Sequence, residues 1–138
     1  MNLFLPFPRA TLLIPSGPPS QPDQQHLFVI MTEPIIQPDA TTLVALVNIT
    51  SVKLGLAIDP TCVLSPGSHP FIRRESYVEY RRARLEECNK LLRGVRDGTL
   101  IPHSLIDEPI FAHIAEGMLR SPHMTLKIRQ FYQATLGN

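Results

Sequence analysis

Apolar and polar positions along this chain change their rhythm near residue 81. Before that point, apolar residues fall in short β-branched runs separated by prolines. Ala10 to Ile14 is a brief run of strand type. His26 to Thr32 contains five consecutive apolar residues, including Val29 and Ile30, and predicts a strand covered on both faces. Leu43 to Val52 is the strongest strand. Its second half alternates, with Val47, Ile49 and Ser51 on one face and Asn48, Thr50 and Val52 on the other. Lys53 to Ile58 predicts a turn and a further strand. Thr61 to Leu64 predicts a short strand after the Asp59-Pro60 turn, and Ser76 to Tyr80 the last one. Pro15 to Asp23 holds four prolines and one glycine, which excludes helix or central strand and predicts a long loop. A polyproline ligand is the rival reading of that stretch. Glu33 to Thr42, with Pro34 and Pro38, predicts a second loop.

From Arg81 onward the spacing is helical. Ala83, Leu85, Leu91, Leu92 and Val95 share one face of a helix that Gly98 stops. Leu100 to Ser104 reads as a link. Asp107-Glu108-Pro109 predicts a helix start, with a capping residue, an acid and a proline in the first turn. Ile110, Phe111, Ile114, Met118 and Leu119 form that helix's apolar face. Ser121-Pro122 opens another helix, carrying Leu126, Ile128, Phe131, Tyr132 and Leu136. The predicted fold class is α+β in a single domain, residues 1–138. A small antiparallel β-barrel or rolled sheet of five or six strands occupies about residues 9–80. Two or three C-terminal helices follow over about residues 81–137.

Composition changes this picture little. Hydrophobic content of 43% and charge of 18% suit a folded chain, and 14 prolines explain the broken strands. The formal net charge of +1 does not itself point to nucleic acid or membrane. Its distribution is more informative. Residues 1–72 carry only Arg9 and Lys53 against four acids, whereas residues 73–84 hold five arginines and two glutamates. Cys62 and Cys88 lack zinc-ligand spacing and read as reduced, partly buried thiols. The stretch from Met1 to Pro8 is apolar but has no charged start and is broken by Pro6 and Pro8, so it makes a poor signal peptide. No run approaches the length of a membrane span. These features predict a soluble, cytoplasmic protein with no membrane partner.

The chain has no Gly-rich phosphate loop, nucleophile elbow or metal-ligand helix, so no metal and no cofactor are expected. Of the five histidines, His26 and His69 flank strands in the β half, where a sheet positions loop side chains. His113 reads as helix packing, and His103 and His123 as loop or helix-start residues. The arginine cluster has two readings. One is a solvated helix face with Arg82 and Glu86 as an i,i+4 pair. The other is a phosphate-binding edge, with Arg73 and Arg74 on a nucleic-acid backbone and Tyr77 or Tyr80 as a stacking face.

Four stretches carry a resemblance: Leu12-Leu13-Ile14-Pro15-Ser16-Gly17-Pro18, His26-Leu27-Phe28-Val29-Ile30, Val47-Asn48-Ile49-Thr50-Ser51 and Glu75-Ser76-Tyr77-Val78. Their order resembles the PemK/MazF family of toxin ribonucleases over roughly residues 10–80. The resemblance implies an SH3-like β-barrel and metal-independent endoribonuclease activity on single-stranded RNA. It also implies an antitoxin protein as partner and a homodimer as the assembly to test. The family threonine carries over to Thr50, with Ser51 beside it. The family arginine does not carry over, because His26 stands there and Leu27 replaces the following proline. The site expected on this basis has His26 as acid/base, Thr50 positioning phosphate and Arg73 supplying charge. Ser51, His69, Arg74 and Tyr77 would bind substrate, His69 being an outside candidate for a second acid/base group. The competing expectation is a non-catalytic SH3-like interaction module, phage or plasmid associated, that binds a protein through its proline-rich loop and helices.

Overall fold

The computed structural model describes residues 4–137. Met1 to Leu3, the start of the apolar stretch that makes a poor signal peptide, lie outside them. The described residues form one antiparallel sheet of eight strands with three α-helices. The strands are β1 (Thr11–Pro15), β2 (Gln25–Ile30), β3 (Ile35–Ile36), β4 (Thr42–Ser51), β5 (Val63–Leu64), β6 (Ser76–Val78), β7 (Arg84–Glu87) and β8 (Ile101–His103). The helices are α1 (Cys88–Asp97), α2 (Glu108–Arg120) and α3 (Leu126–Leu136). No described helix is long and apolar enough to cross a membrane.

The ten-residue β4 organises the sheet. On one edge it pairs with β2, Leu27 opposite Ile49 through Ile30 opposite Leu46, and then with β3. On the other edge it pairs with β6, Ile49 opposite Val78, and with β7, Leu46 opposite Arg84. A single 3₁₀ turn, Tyr80–Arg82, lets the chain step from β6 to β7. The strand path runs β5-β6-β4-β2-β1-β8 and ends there, so the sheet stays open rather than closing into the expected barrel.

Packing accounts for the open sheet. Strand alternation sends Leu12, Ile14, Phe28, Ile30, Val44 and Leu46 toward Leu91 of α1, which also packs against Cys88. The opposite face sends Leu13, Leu27, Val29, Ala45, Val47 and Ile49 toward Ile114 and Met118 of α2 and Ile128 and Tyr132 of α3. Both faces of the sheet's centre are therefore apolar, and helices cover each. Each large aliphatic side chain so buried contributes about 1.5–3 kcal/mol, which favours this layering. β5 has only two residues, and Pro102 leaves β8 without one backbone donor.

The helical half also departs from its sequence pattern. Ala83 and Leu85 are not helical: Arg84–Glu87 is a strand on β4, and α1 begins at Cys88. The sheet thus continues past residue 80, and the link after Gly98 supplies β8. Lys53 to Ile58 forms no strand, whereas Ile35–Ile36 does. Asp107 takes the cap position of α2 without a side-chain cap bond, and α3 starts at Leu126, not at Pro122. His113 is exposed on α2 and does not pack. Cys62 and Cys88 are free and buried in the separate cores on opposite sheet faces, and burial pushes the Cys62 thiol up to about 11.

One clasp fixes the loop after β4. Buried Asp59 accepts hydrogen bonds from the Thr61 backbone N–H and hydroxyl and from the Ser121 hydroxyl, which ties residues 59–61 to the α2–α3 junction.

Candidate functional site

The sheet face that packs on α1 extends beyond that helix. There the inward positions turn from apolar to polar. Past Phe28 comes His26 on β2, and past Leu46 come Asn48 and Thr50 on β4, with Tyr77 directly opposite Thr50. The same period-2 alternation that buries Phe28 and Leu46 therefore presents these four side chains together. They line a cleft of about 820 Å³ with Glu79, Arg81, Arg82 and Arg84. The proline-rich loop between β1 and β2 forms one wall. It folds back on itself through Ser16 N–H to Gln24 O (2.8 Å) and Gln21 N–H to Pro18 O (2.8 Å). A Cβ at Gly17 would lie 1.9 Å from the Gln21 carbonyl oxygen, so this fold requires glycine there.

A second cleft of about 250 Å³ adjoins the first. Phe71, Arg73 and Arg74 line it. His26, Thr50, Ser51, Lys53 and Gln24 line both clefts, forming a ridge between them. The structure thus brings His26, Thr50, Ser51, Arg73 and Arg74 to one cleft and places Tyr77 in its neighbour.

His69 stands apart. It is 2% exposed and lines neither cleft. Its Nε2–H donates to Ser104 O (2.7 Å), and its Nδ1 accepts from the Phe71 backbone N–H (3.0 Å). With both ring nitrogens committed to backbone, the expected substrate-binding role of His69 is replaced by an architectural one. Burial pushes its pKa down, which keeps the neutral ring that this pairing needs.

The tautomer of His26 follows from its neighbours. Ser16 Oγ lies 2.7 Å from His26 Nδ1 and 3.0 Å from Ile14 O. A serine hydroxyl has one proton. Both contacts are satisfied when that proton goes to Ile14 O and the His26 Nδ1–H donates to Ser16 Oγ. This leaves Nε2 with its lone pair and no hydrogen-bond partner among the described residues. Burial lowers the His26 pKa; Glu79 opposes this, and Lys53 and Arg82 add to it. At neutral pH the ring is therefore a free base.

Charge at the site is strongly positive. Lys53, Arg73, Arg74, Arg81, Arg82 and Arg84 line the two clefts against the single carboxylate of Glu79. Buried beneath them, Glu79 holds Arg81 (3.2 Å), Arg82 (3.1 Å) and the Asn48 amide (3.3 Å). Arg82 thus pairs with Glu79, not with Glu86, which instead meets Arg84 and Lys90. The Arg84 guanidinium lies 4.6 Å from the Phe28 ring centroid, where the ring face favours a cation. Six cations lining the two clefts concentrate positive charge at this edge of a chain whose net charge is only +1, and Glu79 and Glu86 offset part of it. The sequence did not point to Ser16, Lys53, Asn48, Glu79 or Phe71 as site residues. Of these, only Asn48 left a trace in it, as a polar residue at an inward position of an apolar strand.

Compared with protein-family models, curated proteins and solved structures, the chain matches none.

Proposed function

We propose that the protein is a metal-independent endoribonuclease of PemK/MazF type that cleaves single-stranded RNA. One observation carries this reading. His26, with Nε2 unprotonated, stands with Thr50 and Ser51 on a ridge shared by two clefts edged with six cations. On this reading the scissile phosphate lies over the ridge and the strand passes from one cleft to the other. His26 Nε2 takes the proton of the ribose 2′-hydroxyl. The 2′-oxygen bonds to phosphorus, and the bond from phosphorus to the 5′-oxygen breaks. The departing 5′-oxygen takes a proton from the imidazolium, and a 2′,3′-cyclic phosphate remains. Thr50 and Ser51 hydroxyls hold the phosphate, while Lys53, Arg73 and Arg74 oppose the charge that builds on it. The open sheet is then a variant of the SH3-like barrel in which α2 and α3 fill the side that would close. An antitoxin protein, a homodimer and a cytoplasmic site of action belong to the same proposal. Toxicity on expression, relieved by a neighbouring acidic gene product, is the result that would support that part.

The direct test is incubation of purified protein with mixed-sequence RNA in the presence of a chelator. Fragments ending in cyclic phosphate are expected. If folded protein leaves every RNA intact, the enzyme reading fails and the non-catalytic interaction module takes its place.

Two variants probe the parts. Arg73→Gln with Arg74→Gln weakens RNA binding without changing the melting temperature, because both side chains are exposed. The slope of log affinity against log salt should fall by about 0.7 for each phosphate no longer neutralised. Ser16→Ala reduces cleavage about tenfold, the worth of one hydrogen bond that fixes the His26 ring. A loss as complete as that of a His26 variant would instead mean that Ser16 itself exchanges a proton with the substrate. The orientation of its proton toward Ile14 O argues against that.

A further inference from the structure

We infer that Phe71 is the stacking platform of a nucleotide subsite in the smaller cleft, holding a base of the single-stranded RNA next to the ridge. This rests on the single-strand reading above and names the residue that grips a base rather than a phosphate. Phe71 is a large apolar side chain left 38% exposed, while its neighbour Ile72 is buried in the core. An isolated exposed apolar residue is ordinary. The mounting of Phe71 sets it apart.

Residues 65–72 form a tight turn closed by Ser68 N–H to Ser65 O (3.1 Å), Ile72 N–H to His69 O (2.8 Å) and Gly67 N–H to Ile72 O (2.8 Å). The Phe71 backbone is held further by buried His69, whose Nδ1 accepts the Phe71 N–H while its Nε2–H bonds Ser104 O. The Phe71 ring meets His103 at a centroid distance of 6.1 Å and an angle of 70°. The aromatic is therefore held outward on a rigid base, with Arg73 and Arg74 following it in sequence and His26 and Thr50 lining the same cleft. An aromatic face beside backbone-binding cations is the arrangement that binds single strands without reading sequence. Buried His69 then serves to position the platform and takes no part in proton transfer.

The chain contains no tryptophan, so Phe71→Trp introduces the only indole. This variant is titrated with a 2′-O-methyl oligonucleotide, which lacks the attacking hydroxyl, and with an abasic oligonucleotide of equal length. The base-bearing strand should quench the indole saturably, whereas the abasic strand should bind without quenching. Binding of each is followed independently by anisotropy of a labelled strand. In parallel, Phe71→Ala should weaken the base-bearing strand about five- to hundredfold and leave the abasic strand unchanged. Binding of both strands with equal quenching, or equal affinities in Phe71→Ala and the parent, would overturn the platform while leaving the RNA reading in place. Failure of the parent protein to bind either strand would remove both.

Discussion

Alanine in place of His26 should lower RNA cleavage by about 10²- to 10⁴-fold, the usual contribution of a positioned proton-transfer group. The fold should survive. His26 sits at the open end of β2 and makes one side-chain hydrogen bond, to Ser16. A melting curve close to the parent's separates lost chemistry from lost structure. The pH profile adds a readout that a merely structural histidine would not affect. Burial holds the His26 pKa below its ordinary 6.5, so the basic form is already dominant at neutral pH. The rate constant kcat/KM for free enzyme should therefore rise with pH through a midpoint below 6.5 and level off above it. A midpoint above 6.5 would mean that attraction to Glu79 outweighs burial, or that another group is the base. An unchanged rate in His26→Ala would remove His26 from the mechanism altogether.

The long elements of this fold were legible because burial alone decides them. β2 and β4 are apolar on both faces, and no other element hides both faces of so short a run. α2 and α3 were legible from their apolar stripes. β7 was not. Arg84-Leu85-Glu86-Glu87 has neither strand propensity nor apolar alternation, and it is a strand because the free edge of β4 offers it partners. β8, with a proline at its centre, is likewise set by the edge of β1. Such edge strands are fixed by tertiary pairing that a local pattern does not encode. The same limit explains the barrel. Five or six antiparallel strands suggest closure, but the apolar content of both sheet faces, shared between α1 on one side and α2 with α3 on the other, favours an open layer.

At the site, alternation along β4 placed Asn48 with Thr50, and the β2–β4 register then brings His26 to them. Arg73 and Arg74 arrive through the turn before β6, whose placement sequence suggested only loosely. Ser16, Lys53 and Phe71 come from loops, where no periodicity points a side chain. His69 misled for a definite reason. A histidine between two strands looks available for chemistry, and only the distant Ser104 carbonyl, 35 residues away, reveals that its ring is fully committed.

Gly117→Ala should destabilise the fold by about 1–5 kcal/mol through a single added methyl group. On helix propensity alone, alanine inside α2 would stabilise by about 1 kcal/mol. The packing reverses that sign. A Cβ at 117 would lie 1.8 Å from the Tyr80 hydroxyl oxygen and 2.4 Å from its Cζ. Tyr80 is fully buried, and its hydroxyl donates to Ile114 O at 2.7 Å. The ring has no open space to enter, so either α2 lifts or the hydrogen bond breaks. Overpacking costs about 1–3 kcal/mol and an unmade buried hydrogen bond about 1–3 more. Less the propensity gain, the net is roughly 1–5 kcal/mol, or a melting temperature lower by about 3–17 °C in a domain of this size. Adding Tyr80→Phe removes the closest atom and should recover part of the loss, although Cζ still crowds the new methyl. A rise in melting temperature for Gly117→Ala would show that α2 does not dock on Tyr80. The consequence reaches the candidate site. α2 ends at the Ser121 clasp on Asp59, and that clasp holds the loop whose Leu56, Ala57 and Ile58 wall the larger cleft. Gly117→Ala should therefore lose RNA cleavage at temperatures where its sheet is still folded, ahead of the global transition seen by circular dichroism.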